Sequence, residues 1–369
     1  MTIACESGVE YKGELRPFDW TVDFTHALLD WYARGHRSLP WRETSDPWAI
    51  LVSEIMCQQT RAEVAVARYH QFLERFPTYT SLAQASEDEV VAAWSGLGYY
   101  SRAKNLRLCA QRFEAEGGIP SERAALRSFP GIGQYTAGAV ASIAFAQPNL
   151  ALDGNGLRVL SRFYNNHALP KSQSLQVQLA NAVEPTIQAH QASDFTNALI
   201  ELGATVCKPT SPDCQACPLQ GSCCSRKLME TSTVKEVIQR PKSTDRVVDV
   251  FYRAEVWLNR DLKRVALCRS HPLPFTRSMW LPKLVELTPD QAKWNHAPTP
   301  DPSGGDWLHT GQVKHSITYR RITIQTYVNL QDPIPSDPHW PMVWIELRDL
   351  GSIPLPNLTT KVLRTLPLV

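Results

Sequence analysis

From Trp20 to Tyr32, the apolar residues Phe24, Ala27, Leu28, Trp31 and Tyr32 recur at helical spacing. An extended, proline-held turn follows, Leu39-Pro40-Trp41-Arg42. Asp46-Pro47 then reads as an N-cap with proline at the first helical position. Leu51 and Ile55, and then Ala62, Val66, Tyr69 and Leu73, predict two apolar helix faces around a break near Gln58. Gly96 and Gly98 break two more helical patterns within Asp88–Arg112. A tight turn, Pro130 to Gly133, precedes an Ala-rich apolar run of helical length, Tyr135 to Ala146. Asp153-Gly154-Asn155 introduces another helical pattern through Leu157, Leu160 and Tyr164, and mainly helical patterns continue to Ala204. From Val247 the texture changes to short β-type runs: Val247–Leu258, Arg264–Cys268, Arg321–Leu330 and Met342–Leu347. Prolines and loops separate them, including the polar stretch Asn295 to Asp306.

This change of period divides the chain into an N-terminal arm (1–19), a helical region (20–225), a polar linker around Arg240-Pro241-Lys242 (226–246) and a small α+β region (247–369). A length of 369 residues favours two domains. With 43% hydrophobic and 20% charged residues the chain reads as globular and soluble. A net charge of only +2 means that any nucleic-acid footprint must be local. The first twenty residues lack a secretory apolar core, and the Tyr135 run is too short to span a bilayer, so a cytoplasmic location and no membrane partner are expected. Nine cysteines in such a chain point to metal binding or plain burial rather than to disulfides.

Four features carry candidate chemistry. Glu54 lies inside an otherwise apolar run. It is either a helix-surface residue between core positions or a buried carboxyl whose raised pKa suits a general acid. Gly131 and Gly133 can take positive φ and leave backbone N–H groups uncovered at a helix start, a site for an anionic oxygen such as a DNA phosphate; a plain packing corner is the alternative. Tyr99-Tyr100, followed by Arg102, Lys104 and Arg107, suits base stacking beside phosphate contacts, or else a core tyrosine pair with a solvated basic face. Finally, Cys207, Cys214, Cys217 and Cys223 form C-x6-C-x2-C-x5-C, four thiolates that zinc or a [4Fe–4S] cluster can use.

Several of these stretches resemble one family. Leu126 to Tyr164 is similar to the helix-hairpin-helix and Gly/Pro-Asp segment of a DNA glycosylase superfamily, with Asp153 in the place of the lesion-site aspartate. Leu-Asp-Gly-Asn resembles the adenine DNA glycosylase (MutY-type) branch, and so does Gly-Leu-Gly-Tyr-Tyr-Ser-Arg-Ala from Gly96 to Ala103. Ser53 to Thr60 resembles the family's Ser-Glu-(Val/Ile)-Met-Leu-Gln-Gln-Thr, with Cys57 in place of leucine. The cysteine spacing is that of the endonuclease III and adenine glycosylase cluster, which implies [4Fe–4S] on Cys207, Cys214, Cys217 and Cys223. The C-terminal region resembles a MutT-like (Nudix-fold) domain but lacks the Gly-x5-Glu-x7-Arg-Glu box, so Mg²⁺-dependent nucleotide hydrolysis is not expected of it.

The resemblance implies a multidomain fold: a mainly α glycosylase region with an iron–sulfur loop, then an α+β Nudix-like domain that recognises 8-oxoguanine. It implies removal of adenine opposite 8-oxoguanine or guanine in duplex DNA by a monomeric, nucleoid-associated enzyme. Glu54 would be the acid and Asp153 the anion that stabilises the sugar cation, assisted by Tyr135 and Asn155. Trp41 and Arg42 would line the base pocket. Gln59 and Tyr99 would wedge into the duplex, and the Gly131 and Gly133 hairpin would meet phosphate. Ile317-Thr318-Tyr319 stands where the family has Phe-Ser-His, which gives Thr318 the lesion contact. Tyr135 occupies the hairpin position where an endonuclease III-type pyrimidine glycosylase/lyase, the alternative reading, carries its lysine, so a monofunctional enzyme is expected.

Overall fold

A computed structural model of the chain describes residues 21–165, 173–228, 247–259, 261, 263–269, 279–292, 307–317, 320–330, 334 and 340–367. The helices are α1 (Thr21–Arg34), α2 (Pro47–Cys57), α3 (Ala62–Arg75), α4 (Tyr79–Gln84), α5 (Glu87–Ala93), α6 (Ser101–Glu116), α7 (Arg123–Leu126), α8 (Gln134–Phe145), α9 (Gly154–Phe163), α10 (Gln173–Val183), α11 (Ala192–Thr205), α12 (Cys224–Leu228) and α13 (Asn357–Leu363). The strands are β1 (Val248–Asn259), β2 (Arg264–Leu267), β3 (Lys283–Leu287), β4 (Trp307–Ile317), β5 (Arg320–Asn329) and β6 (Val343–Glu346). Two compact units result: Met1–Leu73, Pro77–Thr80 and Leu108–Lys242 form one, and Glu74–Phe76, Ser81–Arg107 and Ser243–Val369 form the other. The N-terminal arm, most of the linker, Asn295–Asp306 and the Thr318-Tyr319 pair lie outside the described residues.

In the first unit α9 packs on α11, and α11 on α1 and α8. Phe24, Leu28, Leu160, Phe163, Phe195, Leu199 and Leu202 share one buried cluster. The Phe24 and Phe163 rings meet edge-on at 4.9 Å, and burying each such side chain stabilises the fold by roughly 1.5–3 kcal/mol. Helix α2 starts as its sequence predicts: the Asp46 carboxylate accepts hydrogen bonds from the N–H groups of Trp48 and Ala49, with Pro47 behind it. Every residue from Trp48 to Met56 is buried. A helix covered on all sides has no solvent face for a carboxylate, so Glu54 lies in the interior. The helix ends at Gln58, where the sequence break was expected.

The hairpin between α7 and α8 is tied from outside by the Cys109 thiol, which donates to Pro130 O at 2.8 Å. Gly131 takes φ 78°, the left-handed value that glycine permits. Gly133 does not take a positive φ; it is extended (φ −85°) and forms the N-cap of α8.

The second unit is built on a six-stranded mixed sheet of order β4-β5-β1-β2-β6, with β3 also pairing β1. β1 runs parallel to β5 over Val248–Trp257 and antiparallel to β3 over Phe251–Glu255. The four β-type runs of the sequence correspond to β1, β2, β5 and β6; β3 and β4 were not among them. Residues 81–107, helical by pattern, cluster with this sheet rather than with the other helices.

Two parts of the expected fold class are corrected. The C-terminal region is a mixed sheet with one seven-residue α-helix among the described residues, which is not a clear Nudix topology. The expected iron–sulfur loop is not present as a metal site: among the described residues no group of three or more His, Cys, Asp or Glu side chains is arranged to hold a metal ion. Among the described residues no helix is long and apolar enough to cross a membrane.

Candidate active site

A cleft of about 800 Å³ in the first unit gathers residues from five separate stretches. Trp41 and Arg42 reach it from a 3-10 turn, Glu54 and Gln58–Glu63 from the end of α2 and the break after it. Tyr135 comes from the start of α8, and Leu152–Asn155 from the start of α9. Asn197, Ile200 and Ala204 of α11 close it. The packing of α2 on α8 and of α9 on α11 brings these stretches together.

Glu54 is 8% exposed, and its Oε2 has no hydrogen-bond partner. Burial pushes its carboxyl up to about 7; the Tyr135 hydroxyl pulls against this by hydrogen bonding, and the Asp153 charge adds to the rise. At neutral pH it therefore holds a transferable proton. Tyr135 itself is raised well above its ordinary value, first by burial and then by the two carboxylates, so it stays a neutral hydroxyl.

Asp153 is the N-cap of α9. Its Oδ1 accepts from Asn155 N at 2.9 Å and Gly156 N at 2.7 Å, and its Oδ2 accepts from Asn155 Nδ2 at 2.7 Å. Burial raises its pKa, while these three donors and the Arg158 charge favour the anion. The helix N-terminus favours the anion as well. Asn155 is oriented in turn: Arg158 Nη2 donates to Asn155 Oδ1 at 2.9 Å and to Gly203 O at 2.7 Å. Only glycine fits at 203, because a Cβ there would stand 2.7 Å from Asn155 Cβ.

Arg42 lines the cleft, yet its charge is already engaged. Its Nη2 donates to Glu201 Oε2 at 2.8 Å and its Nη1 to Arg37 O at 2.9 Å. Arg37 clamps the same carboxylate through Nε at 3.0 Å and Nη2 at 2.9 Å. Burial would raise Glu201, but these hydrogen bonds and the Arg42 charge outweigh it and hold the carboxyl at about 2. Trp41 is buried beside this clamp, edge-on to Tyr69 at 5.4 Å.

Gln59 lines the cleft and is a non-glycine residue at positive φ, 57°. Tyr99 belongs to the second unit, is 42% exposed, and also has positive φ, 46°. The N–H groups after Gly131 and Gly133 open α8, and a Cβ at Gly133 would meet nothing within 4 Å. Thr318 lies outside the described residues.

The metal-ligand set is corrected. Cys207, Cys214, Cys217 and Cys223 do line one apolar cavity, but no three of them are disposed to hold a metal ion. As free thiols, Cys217 is pushed by burial up to about 12 and Cys223 up to about 11, and Cys214 is raised in the same direction. Arg162 Nη1 donates to Cys207 Sγ at 3.3 Å, and Cys223 Sγ donates to Arg162 O at 3.7 Å.

Sequence reasoning missed Arg37, Arg158, Glu201 and Gly203. Glu201 carried the same signal as Glu54, a carboxylate within an apolar helical run, Leu199-Ile200-Glu201-Leu202.

Residues 52–185 match the model of the HhH-GPD superfamily of base excision DNA repair proteins. The chain is 39% identical over 218 residues to the adenine DNA glycosylase of Homo sapiens, covering 56% of this chain and 40% of that protein. It is 31% identical over 247 residues to the adenine DNA glycosylase of Buchnera aphidicola subsp. Acyrthosiphon pisum, covering 65% of this chain and 71% of that protein. The chain spans about two fifths of the length of the mammalian relatives it matches. A solved thermostable thymine-DNA glycosylase superposes with TM-score 0.52 at 25% identity, over 56% of this chain and 97% of that one.

Proposed function

This chain belongs to the adenine DNA glycosylase family of the HhH-GPD base excision DNA repair proteins, and on that premise we propose that it hydrolyses the N-glycosidic bond of adenine mispaired with 8-oxoguanine or guanine in duplex DNA. One observation carries the reading: a buried carboxyl near neutrality, Glu54, shares a cleft with a carboxylate held by three N–H donors, Asp153. Two acids in unlike environments take opposite protonation states, and glycosidic cleavage needs both states.

The target adenine must leave the base stack to reach such a cleft. Glu54 then gives its proton to the adenine ring. The bond from the sugar to the base breaks, the electron pair leaves with the base, and positive charge builds on the sugar. Asp153 stabilises that charge by a fixed, preorganised field. Water adds to the anomeric carbon and releases a proton, giving an abasic site and free adenine. Tyr135 and Asn155 hold the two carboxyl groups. Trp41 supplies the flat wall of the base pocket, and Arg42, locked by Glu201, supplies a fixed edge. Gln59 and Tyr99 enter the duplex, the Gly131–Gly133 hairpin grips phosphate, and Thr318 contacts the lesion.

Among the described residues that line the cleft there is no lysine, which supports hydrolysis without a Schiff base. The test is base release from duplexes holding A:8-oxoguanine, A:G, A:C and thymine glycol pairs. Release of adenine from the first two is expected. Release from thymine glycol with strand nicking would replace this reading with the endonuclease III-type one.

A further inference from the structure

The turn that carries Tyr99 is unusually constrained. Gly96, Gly98 and Tyr99 all have positive φ, at 95°, 68° and 46°. For a bulky aromatic residue that conformation is strained, and it persists only where the surroundings over-determine it. Part of the restraint is local. Arg102, 8% exposed, donates through Nη2 to Leu97 O at 2.9 Å and Gly98 O at 3.0 Å, and Trp94 Nε1 donates to Gly98 O at 3.3 Å.

The rest comes from some 255 positions further along the chain. Tyr100 Oη donates to Leu355 O at 3.2 Å, Ser95 Oγ to Leu355 O at 3.5 Å, and Asn357 Nδ2 to Gly96 O at 3.4 Å. Tyr100 is buried while its neighbour Tyr99 is exposed, so the pair is anchored on one residue and presents the other. The anchoring segment is itself fixed to the sheet-bearing unit. Trp280 N donates to Pro354 O at 2.9 Å, and Thr359 Oγ1 donates to Trp280 O at 2.9 Å. Arg269 covers the Trp280 ring at 4.8 Å and pairs with Asp88 of α5. Leu281, next to Trp280, exchanges both backbone hydrogen bonds with Cys268 just past the end of β2, so a continuous path runs from the sheet to the turn.

We propose that the Leu355–Asn357 segment is a positioning element for the Tyr99 turn, so that the unit bearing the β-sheet sets the geometry of the residue that enters the duplex. The proposal rests on the reading of Tyr99 as that residue. It assigns Tyr100 and Asn357 no contact with DNA: they act through the backbone of residues 96–100.

A double-mutant cycle on the full chain tests it. The probe is a duplex with a non-cleavable 2′-fluoro-adenosine opposite 8-oxoguanine and a 2-aminopurine beside the 8-oxoguanine. Tyr99→Ala, the pair Tyr100→Phe/Asn357→Ala, and the triple variant are compared with the parent by Kd and by 2-aminopurine emission, which rises when the base is unstacked. Tyr99→Ala and the Tyr100/Asn357 pair should each weaken binding about tenfold, the scale of one to two net hydrogen bonds, and each should lose most of the emission gain. The triple variant should bind within about twofold of Tyr99→Ala. Additive losses, or full emission from the Tyr100/Asn357 pair, would overturn the proposal. If that pair does not give a folded protein by circular dichroism, Asn357→Ala alone is put through the same cycle with the same criteria. No effect of Tyr99→Ala would sink both the proposal and the reading beneath it.

Discussion

Glu54→Gln should leave a folded, DNA-binding protein that cannot excise adenine at a useful rate. The amide keeps the shape of the side chain and removes its proton. General-acid catalysis typically contributes 10²–10⁴-fold, or about 3–5 kcal/mol of barrier. The upper part of that range applies because Asp153, the carboxyl whose charge acts on Glu54, is itself engaged by three N–H donors. With Glu54 at about 7, the single-turnover rate of the parent should be about half-maximal at pH 7 and fall about tenfold per pH unit above that. It should fall again at low pH, as Asp153 becomes protonated. The glutamine variant should lack the alkaline limb. Stability gives a second, independent reading. Burial raises Glu54 from its ordinary 4.5 to about 7, a difference worth about 3 kcal/mol at roughly 1.4 kcal/mol per pH unit. The neutral carboxyl's contribution is complete below about pH 4.5 and is lost as pH rises through 7. The substituted amide has nothing to ionise, so the variant should melt higher than the parent at pH 8–9. The assay is single-turnover release of adenine from an A:8-oxoguanine duplex between pH 5 and 9, alongside thermal melting over the same range. Excision within tenfold of the parent, or a parent rate that does not decline above pH 7, would refute the assignment of Glu54 as the acid.

Three other outcomes are expected. Gly203→Ala forces a Cβ to within 2.7 Å of Asn155 Cβ, so it should cost about 1–3 kcal/mol in chemical denaturation and lower excision more than DNA affinity. Glu201→Ala leaves Arg42, buried at 5% side-chain exposure, without its carboxylate, and should destabilise by about 3–5 kcal/mol, measured by urea unfolding. Borohydride added during turnover should trap little covalent protein–DNA adduct on denaturing gels; efficient trapping would show that a lysine reaches the opened sugar.

Local signals in the sequence translated well. Asp46-Pro47 caps α2, Gln58 ends it, and Gly96 and Gly98 separate α5 from α6, because each effect acts within a few residues. A carboxylate in an apolar run marked Glu54, and the helix is indeed buried on every side. What depends on distant pairing was not legible. Arg37 and Glu201 are 164 residues apart, and nothing local to Arg37 announces its partner. Gly203 sits in a helix where glycine is merely unfavourable by propensity; its reason is the approach of α9. β4 was missed because polar residues interrupt its alternation, as at His309, Thr310 and Gln312, with a bulge between His309 and Gly311. The cysteine spacing suggested a ligand set, but spacing carries no information on where the sulfurs point.

Asp153 does two jobs with one pair of oxygens: it closes the first turn of α9, and it holds the negative charge in the cleft. The amides of Asn155 and Gly156 are therefore protected from solvent hydrogen only while the carboxylate is in place. On the proposed mechanism, a molecule in which that turn has frayed lacks the charge that the reaction needs until the turn re-forms. The exchange rates of two backbone protons thus gauge, without any substrate, the fraction of molecules competent to react at a given moment.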